Sequence, residues 1–217
     1  MNKHFAQMEI TSCDYPPTRR GHQRRLALLL SANELFLERG YDAVSLDDIV
    51  HHAGGSKTSI YKYFGNKEGL FRAICDYRRA VFFKDICPAF EQSKDDLRAY
   101  LIRNLNNFYR NLVANENAAF FRMIVEHTKT APEFALYIHE QGPKVIQTVI
   151  AKALENAHNQ NVLYCPKPMF SAQLYLGIIR HLEWKTLMGI NIEIESSEVE
   201  AYFEYSIDRF LDGHQIA

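Results

Sequence analysis

The chain is predicted to be all-α: an N-terminal three-helix head containing a helix-turn-helix, then a C-terminal helical bundle, about nine to ten helices in all. Three observations predict this. Apolar residues recur at helical spacing through nearly every segment after residue 18. Two short helical stretches meet at a Gly54-Gly55 turn with capping residues on either side. Further along, Pro132 and Gly142-Pro143 punctuate the pattern where helices would start and stop. A chain of 217 residues fits one compact unit or two subdomains, and at that size about 70% of the unfolded surface can be buried without metal or disulfide staples.

Residues 1–18 show no periodicity and contain Pro16-Pro17, as a flexible arm would. The first helix comes next. Leu26, Leu29, Leu30, Phe36 and Leu37 are expected to share its buried face, Gly40 closes it, and Tyr41 is placed to pack back on its last turn. Arg19, Arg20, Arg24 and Arg25 cluster at its start.

The run 45–70, SLDDIVHHAGGSKTSIYKYFGNKEGL, organises the rest. Leu46, Ile49, Val50 and Ala53 put four apolar side chains on one face of a short helix, and Ser45 with Asp48 makes a capping box at its start. The glycine pair turns the chain, and Ser56 can cap the helix after it. In that helix, 57–64, only Ile60 and Phe64 can act as anchors. Lys57, Thr58, Ser59, Tyr61, Lys62 and Tyr63 are donors or cations on a helix whose N-terminus already carries partial positive charge. Such a surface suits phosphates and base edges. Gly65 ends that helix, Asn66 caps the next, and Lys67 sits in a first turn where the dipole disfavours a cation; a phosphate there would relieve the conflict. The charge distribution agrees. The net charge is only -1, yet residues 19–87 hold twelve Lys and Arg against eight Asp and Glu, while 88–217 hold twelve against sixteen.

The run Ile49, Ala53-Gly54, Ser56-Lys57, Ile60-Tyr61, Tyr63-Phe64, Lys67-Glu68, Leu70 resembles the DNA-binding domain of the TetR/AcrR family of bacterial transcriptional regulators, over roughly residues 20–75. Gly55 stands where the family usually has Val, and Val50 where it usually has Ala; the missing Val side chain is expected to loosen the turn and weaken preorganisation of the recognition helix. The resemblance implies a helix-turn-helix DNA-binding domain at 19–66 and an effector-binding and dimerisation domain at 67–217. By the same resemblance Ser45 and Lys67 contact phosphates, with Tyr61 and Tyr63 through their hydroxyls, whereas Lys57, Thr58, Ser59 and Lys62 reach base edges. It also implies a role for helix 67–86 in coupling effector to head. The expected function is a cytoplasmic, ligand-responsive repressor that binds a palindromic operator on double-stranded DNA as a homodimer and is released by a small hydrophobic or aromatic effector.

In the body, apolar stripes mark helices at 95–115, 117–128, from Pro132, from Gly142-Pro143, at 169–189 and at 197–211. The segment 169–189 is apolar on nearly all sides and is expected to be buried all round. The last two helices carry more apolar surface than one face needs, which suggests a subunit interface, and the family resemblance points the same way. Two recognition helices in a dimer would lie one duplex turn apart and read a palindrome. Aromatic and polar groups among the body helices single out Phe108, Phe121, His127, Tyr137, His181 and Trp184 as effector-binding candidates. Phe120, Met123 and Tyr175 belong to the same wider set. The stretch 132–143, PEFALYIHEQGP, loosely resembles ligand domains found with regulators of efflux and related stress genes.

Two rival readings come from other classes. Glu155 and His158 match the Glu-x-x-His of carboxylate di-iron bundles, but that chemistry needs a second copy, and the sequence holds none. A helical module whose head binds protein in place of DNA is the other. No catalytic residues, metal site or cofactor are expected. The four cysteines, Cys13, Cys75, Cys87 and Cys165, have no paired spacing and read as free thiols. No apolar run is long enough to span a membrane.

Overall fold

A computed structural model describes residues 18–86, 90, 96–190 and 196–215. Among the described residues there are eleven helices and no strand: α1 (Arg19–Arg39), α2 (Leu46–Ala53), α3 (Lys57–Phe64), α4 (Lys67–Ile86), α5 (Leu97–Val113), α6 (Asn115–Thr128), α7 (Pro132–Gln141), α8 (Pro143–Asn159), α9 (Pro168–Gly177), α10 (Arg180–Leu187) and α11 (Ser196–Asp212). The all-α expectation holds. The expected arm lies outside the described residues except for Thr18, whose hydroxyl accepts from the Gly21 N–H at 3.1 Å and caps α1. Two compact units divide between Asp76 and Tyr77, within α4.

The first unit is built on α1, which packs on α2 and α3. Its buried face is Leu28, Leu29, Ala32, Leu35 and Phe36. This corrects the expected stripe: Leu26 and Leu30 are exposed. A leucine-rich helix offers more than one apolar stripe, and the positions of Ile49, Ile60, Leu70, Phe71 and Ile74, all buried, decide which one is covered. Tyr41 does pack back as expected, its ring 5.2 Å from Phe36 and 5.0 Å from Phe71. Burial, helped by the Glu68 and Asp42 charges, pushes its phenol up to about 12.

The second unit has a continuous core that includes Tyr100, Leu101 and Leu105 of α5, Ile150 and Leu154 of α8, Tyr175 of α9, and Phe203 and Ile207 of α11. The Tyr175 hydroxyl donates to the Leu101 carbonyl at 2.8 Å, tying α9 to α5. Arg98 of α5 grips Asp208 of α11 with two bonds, Nε to Oδ1 at 2.6 Å and Nη2 to Oδ2 at 3.1 Å.

The single helix expected at 169–189 is two. At Ile178 and Ile179 the ladder tightens to three-residue hydrogen bonds, Ile178 N–H to Tyr175 and Leu182 N–H to Ile179, which end α9 and start α10. This break is why the helices outnumber the nine to ten expected. All-round burial is also overturned: Leu174 is 68% exposed, Trp184 63% and Phe170 61%. Within one chain only the face bearing Ala172, Tyr175, Ile179 and Leu182 meets the core. Cys75 and Cys165 are buried, Cys165 as a free thiol; Cys13 and Cys87 lie outside the described residues. No described helix is long and apolar enough to cross a membrane.

The Arg98 guanidinium, by hydrogen bond and charge, holds the Asp208 carboxyl below the usual carboxylate range. A carboxylate whose folded pKa is depressed stabilises the fold above its unfolded value, near pH 4, and loses that contribution as pH falls through the lower folded value. Asp208→Asn is therefore expected to lower the thermal midpoint slightly at neutral pH, and the gap from the natural protein is expected to close as the pH drops below about 4, as calorimetry at several pH values would read.

Candidate nucleic-acid interface

Helix α3 has eight residues, too few to stand alone in water, so its neighbours must hold it. Ile60 is fully buried and Phe64 half-buried, with the Arg25 guanidinium 5.0 Å above the Phe64 ring. Around these anchors Lys57, Thr58, Tyr61 and Lys62 are exposed, while Ser59 and Tyr63 are half-buried. Lysine ammonium, threonine hydroxyl and tyrosine hydroxyl thus share one outward surface on a two-turn helix.

The supports of that helix are specific. Ser45 caps α2 through a full capping box: its hydroxyl accepts from the Asp48 N–H at 3.1 Å and its own N–H donates to the Asp48 carboxylate at 2.8 Å. Ser56 occupies the N-cap position of α3 but makes no side-chain cap; its hydroxyl instead lies 3.3 Å from that of Ser59. Gly65, at φ +78°, ends α3, and Asn66 caps α4 by accepting from the Gly69 N–H at 2.7 Å. At Gly69 the start of α4 runs so close to the end of α3 that a Cβ would sit 1.9 Å from the Phe64 carbonyl oxygen.

The turn itself is not the loose one expected from Gly55. The Arg24 guanidinium of α1 reaches across to donate to the Gly54 carbonyl and lies where a side chain at Gly55 would stand, 3.1 Å from a Cβ there. A cation from α1 thus braces the turn, through space that a valine would fill. The missing Cβ was the signal that a distant group could come this close.

The lysines have neighbours of their own. Lys57 pairs with Asp47 at 2.8 Å. Lys67 lies with its Nζ 4.3 Å from the centre of the Tyr41 ring and 5.9 Å from that of Phe36, half-buried, and burial lowers its pKa. The Lys62 ammonium is 5.9 Å from the Tyr63 ring.

The six effector candidates do not converge. Phe108 lines a small, partly open cavity together with Tyr175. Phe121 packs on the main core, and His127 and Tyr137 flank Phe134 at 4.8 and 6.1 Å. His181 stands exposed, edge-on to Tyr202, and Trp184 is largely exposed. Sequence reasoning passed over Asn104, which is buried in the wall of the same cavity. Its signal was an amide within the apolar stripe of α5. As for the metalloenzyme pattern, Glu155 is exposed, the His158 ring Nδ1 lies 3.3 Å from the Leu163 carbonyl, and no group of three metal-binding side chains occurs among the described residues.

Residues 28–74 match the family model of bacterial regulatory proteins of the tetR family, and residues 99–215 match the C-terminal domain of AefR-like transcriptional repressors. The chain belongs to the TetR family. It is a DNA-binding transcriptional regulator, and its relatives are regulators, not enzymes. The HTH-type transcriptional repressor NemR of Escherichia coli (strain K12) is 23% identical over 181 residues, 81% of this chain and 86% of that protein. A TetR-family regulator structure from Mesorhizobium loti superposes with a TM-score of 0.81 at 19% identity, covering 92% of this chain and all of the other. The flavonoid-responsive regulator FrrA gives a TM-score of 0.77 at 28% identity, covering 89% of this chain and 97% of that one.

Alanine usually stabilises a helix relative to glycine. Gly69→Ala in this TetR-family chain is expected to do the reverse, costing about 1–3 kcal/mol because the Phe64 carbonyl cannot yield without moving α3. Denaturant unfolding of the variant measures it.

Proposed function

We propose that this regulator is a repressor that binds a palindromic operator as a homodimer and is released by a small, neutral, ring-bearing effector. The exposed donor face of α3, set above its single fully buried anchor Ile60, carries the reading. Thr58, Ser59 and Lys62, with Lys57, address base edges, and Tyr61, Tyr63, Ser45 and Lys67 address phosphates. Asp47 holds Lys57 until DNA competes for it. Lys67 is suited to a phosphate because its ammonium is partly desolvated against Tyr41, a state that an anion relieves. The hydroxyl of Ser45 also lies within 2.5 Å of the Asp48 carboxylate, so its phosphate contact would share a group already used for capping.

In this reading residues 19–66 are the DNA-binding domain and 67–217 the effector and dimer domain. Dimerisation uses the late helices, where Phe170, Leu174, Trp184, Met188 and Tyr205 stand exposed and apolar. The effector class is inferred from the apolar core of the second unit and from the likeness to FrrA, whose name records a flavonoid response.

Selection of duplexes from a random pool, at two salt concentrations, tests the DNA half. A palindrome is expected to be enriched and to be lost at higher salt. Lys67→Ala is expected to weaken binding about equally on all sequences and to lower the salt slope by about one unit, whereas Thr58→Ala is expected to relax base preference at one position with the slope unchanged. No enrichment at either salt would favour a head that binds protein. For the dimer half, Leu174→Glu is expected to weaken self-association by roughly thirtyfold or more, the size of an interface hot spot, and to abolish preference for paired half-sites; sedimentation measures the first and the duplex selection the second.

A further inference from the structure

Asn104 occupies a position in α5 that the helix otherwise gives to leucine. Leu97, Leu101, Leu105 and Leu112 of the same helix are buried, and Asn104 is itself only 3% exposed. Neither its Oδ1 nor its Nδ2 touches solvent, and neither has a hydrogen-bond partner among the described residues. A buried amide without partners is costly, and an apolar side chain of similar volume would remove that cost.

The amide lies in the wall of a small, partly open cavity. Phe108 of α5, Ile146 and Ile150 of α8, Tyr175 and Leu176 of α9, and Ile179 complete most of the lining. The Tyr175 hydroxyl already donates its proton to Leu101. Asn104 is therefore the side chain in this wall that holds both a donor and an acceptor uncommitted. The cavity has room for about one water molecule. Phe108 and Leu176 are partly buried at its edge, and a larger occupant would have to displace them.

We infer that this cavity is the recognition site for a neutral, ring-bearing molecule whose hydroxyl or carbonyl hydrogen-bonds to Asn104. This rests on the proposal that the regulator answers an effector, and it assigns the polar group that reads it. The wall sets the chemistry. Phe108 and Tyr175 offer ring faces and the branched side chains offer apolar surface. No lining side chain carries a charge, so an ionised ligand would be buried without a counter-charge. A carbonyl accepts from Nδ2 and a hydroxyl donates to Oδ1, so each pairs one end of the amide. Phe108 also packs edge-on against Phe82 of α4, ring centres 5.5 Å apart, so a ligand that displaces Phe108 removes a packing partner of that helix.

Naphthol, its apolar parent naphthalene and the anion naphthoate, titrated calorimetrically into the full-length protein, test the assignment. Naphthol is expected to bind at least tenfold more tightly than naphthalene, and naphthoate to give no binding. Asn104→Leu is expected to melt several degrees higher than the natural protein, which shows that it folds, and to lose the tenfold preference while still binding naphthalene. In the natural protein, the side-chain amide resonances of Asn104, identified as the pair missing from that variant, are expected to shift on adding naphthol. Equal binding of naphthol and naphthalene, a preference that survives Asn104→Leu, or no binding of any probe would overturn the assignment. Operator affinity separates this from the repressor reading. Asn104-dependent binding that leaves the operator affinity unchanged upholds the site and counts against effector release. Release of the operator by naphthol that persists in Asn104→Leu upholds release and overturns the site.

Discussion

An eight-residue helix must be held in place by something other than itself, and the first unit is arranged around that requirement. The exposed polar face of α3 cannot also be its anchor, which leaves Ile60 and, in part, Phe64 to fasten it. Two buried contacts would let a two-turn helix rock. At the C-terminal end of α3, α4 approaches the Phe64 carbonyl as closely as only a glycine at 69 allows, while the turn before α3 is braced by Arg24 on Gly54. Both devices depend on missing Cβ atoms. The gain is a polar surface whose support comes mainly from groups outside it, the Lys57 pair with Asp47 being the exception.

The second unit solves a different problem. Its core is large enough to order a helical bundle, yet it leaves Phe170, Leu174, Trp184 and Met188 in the open. In the proposed homodimer a second copy would cover that apolar surface. Inside, the same core contains a buried amide at Asn104 where leucine would pack without penalty. Both are departures from the simplest stable bundle, and the proposed reading gives the first to assembly and the second to recognition.

Much of this was legible in the chain. Helical period, the capping pairs Ser45 with Asp48 and Asn66 with Gly69, and the glycine turn are local matters, governed by a few adjacent residues, and they located α2, α3 and the start of α4. The polar composition of 57–64 with Ile60 as anchor is equally local, and so is the family resemblance that rests on it.

What only the tertiary structure decided are the choices among locally equivalent options. Leucines surround much of α1, and the partners it meets select Leu28 and Ala32 over Leu26 and Leu30. Apolar residues surround 169–189, and periodicity cannot say whether a neighbour in the same chain covers them; the break at Ile178 and Ile179 and the exposure of Leu174 answer that. Arg24 is thirty residues from the turn it braces, and Asn104 meets α8 and α9 only in the folded bundle. Sequence determines what a segment can bury, cap or present, because those properties act within one or two turns. Which surface is in fact buried, and which polar group is left facing a cavity, is settled by segments far apart in the chain that compete for the same space.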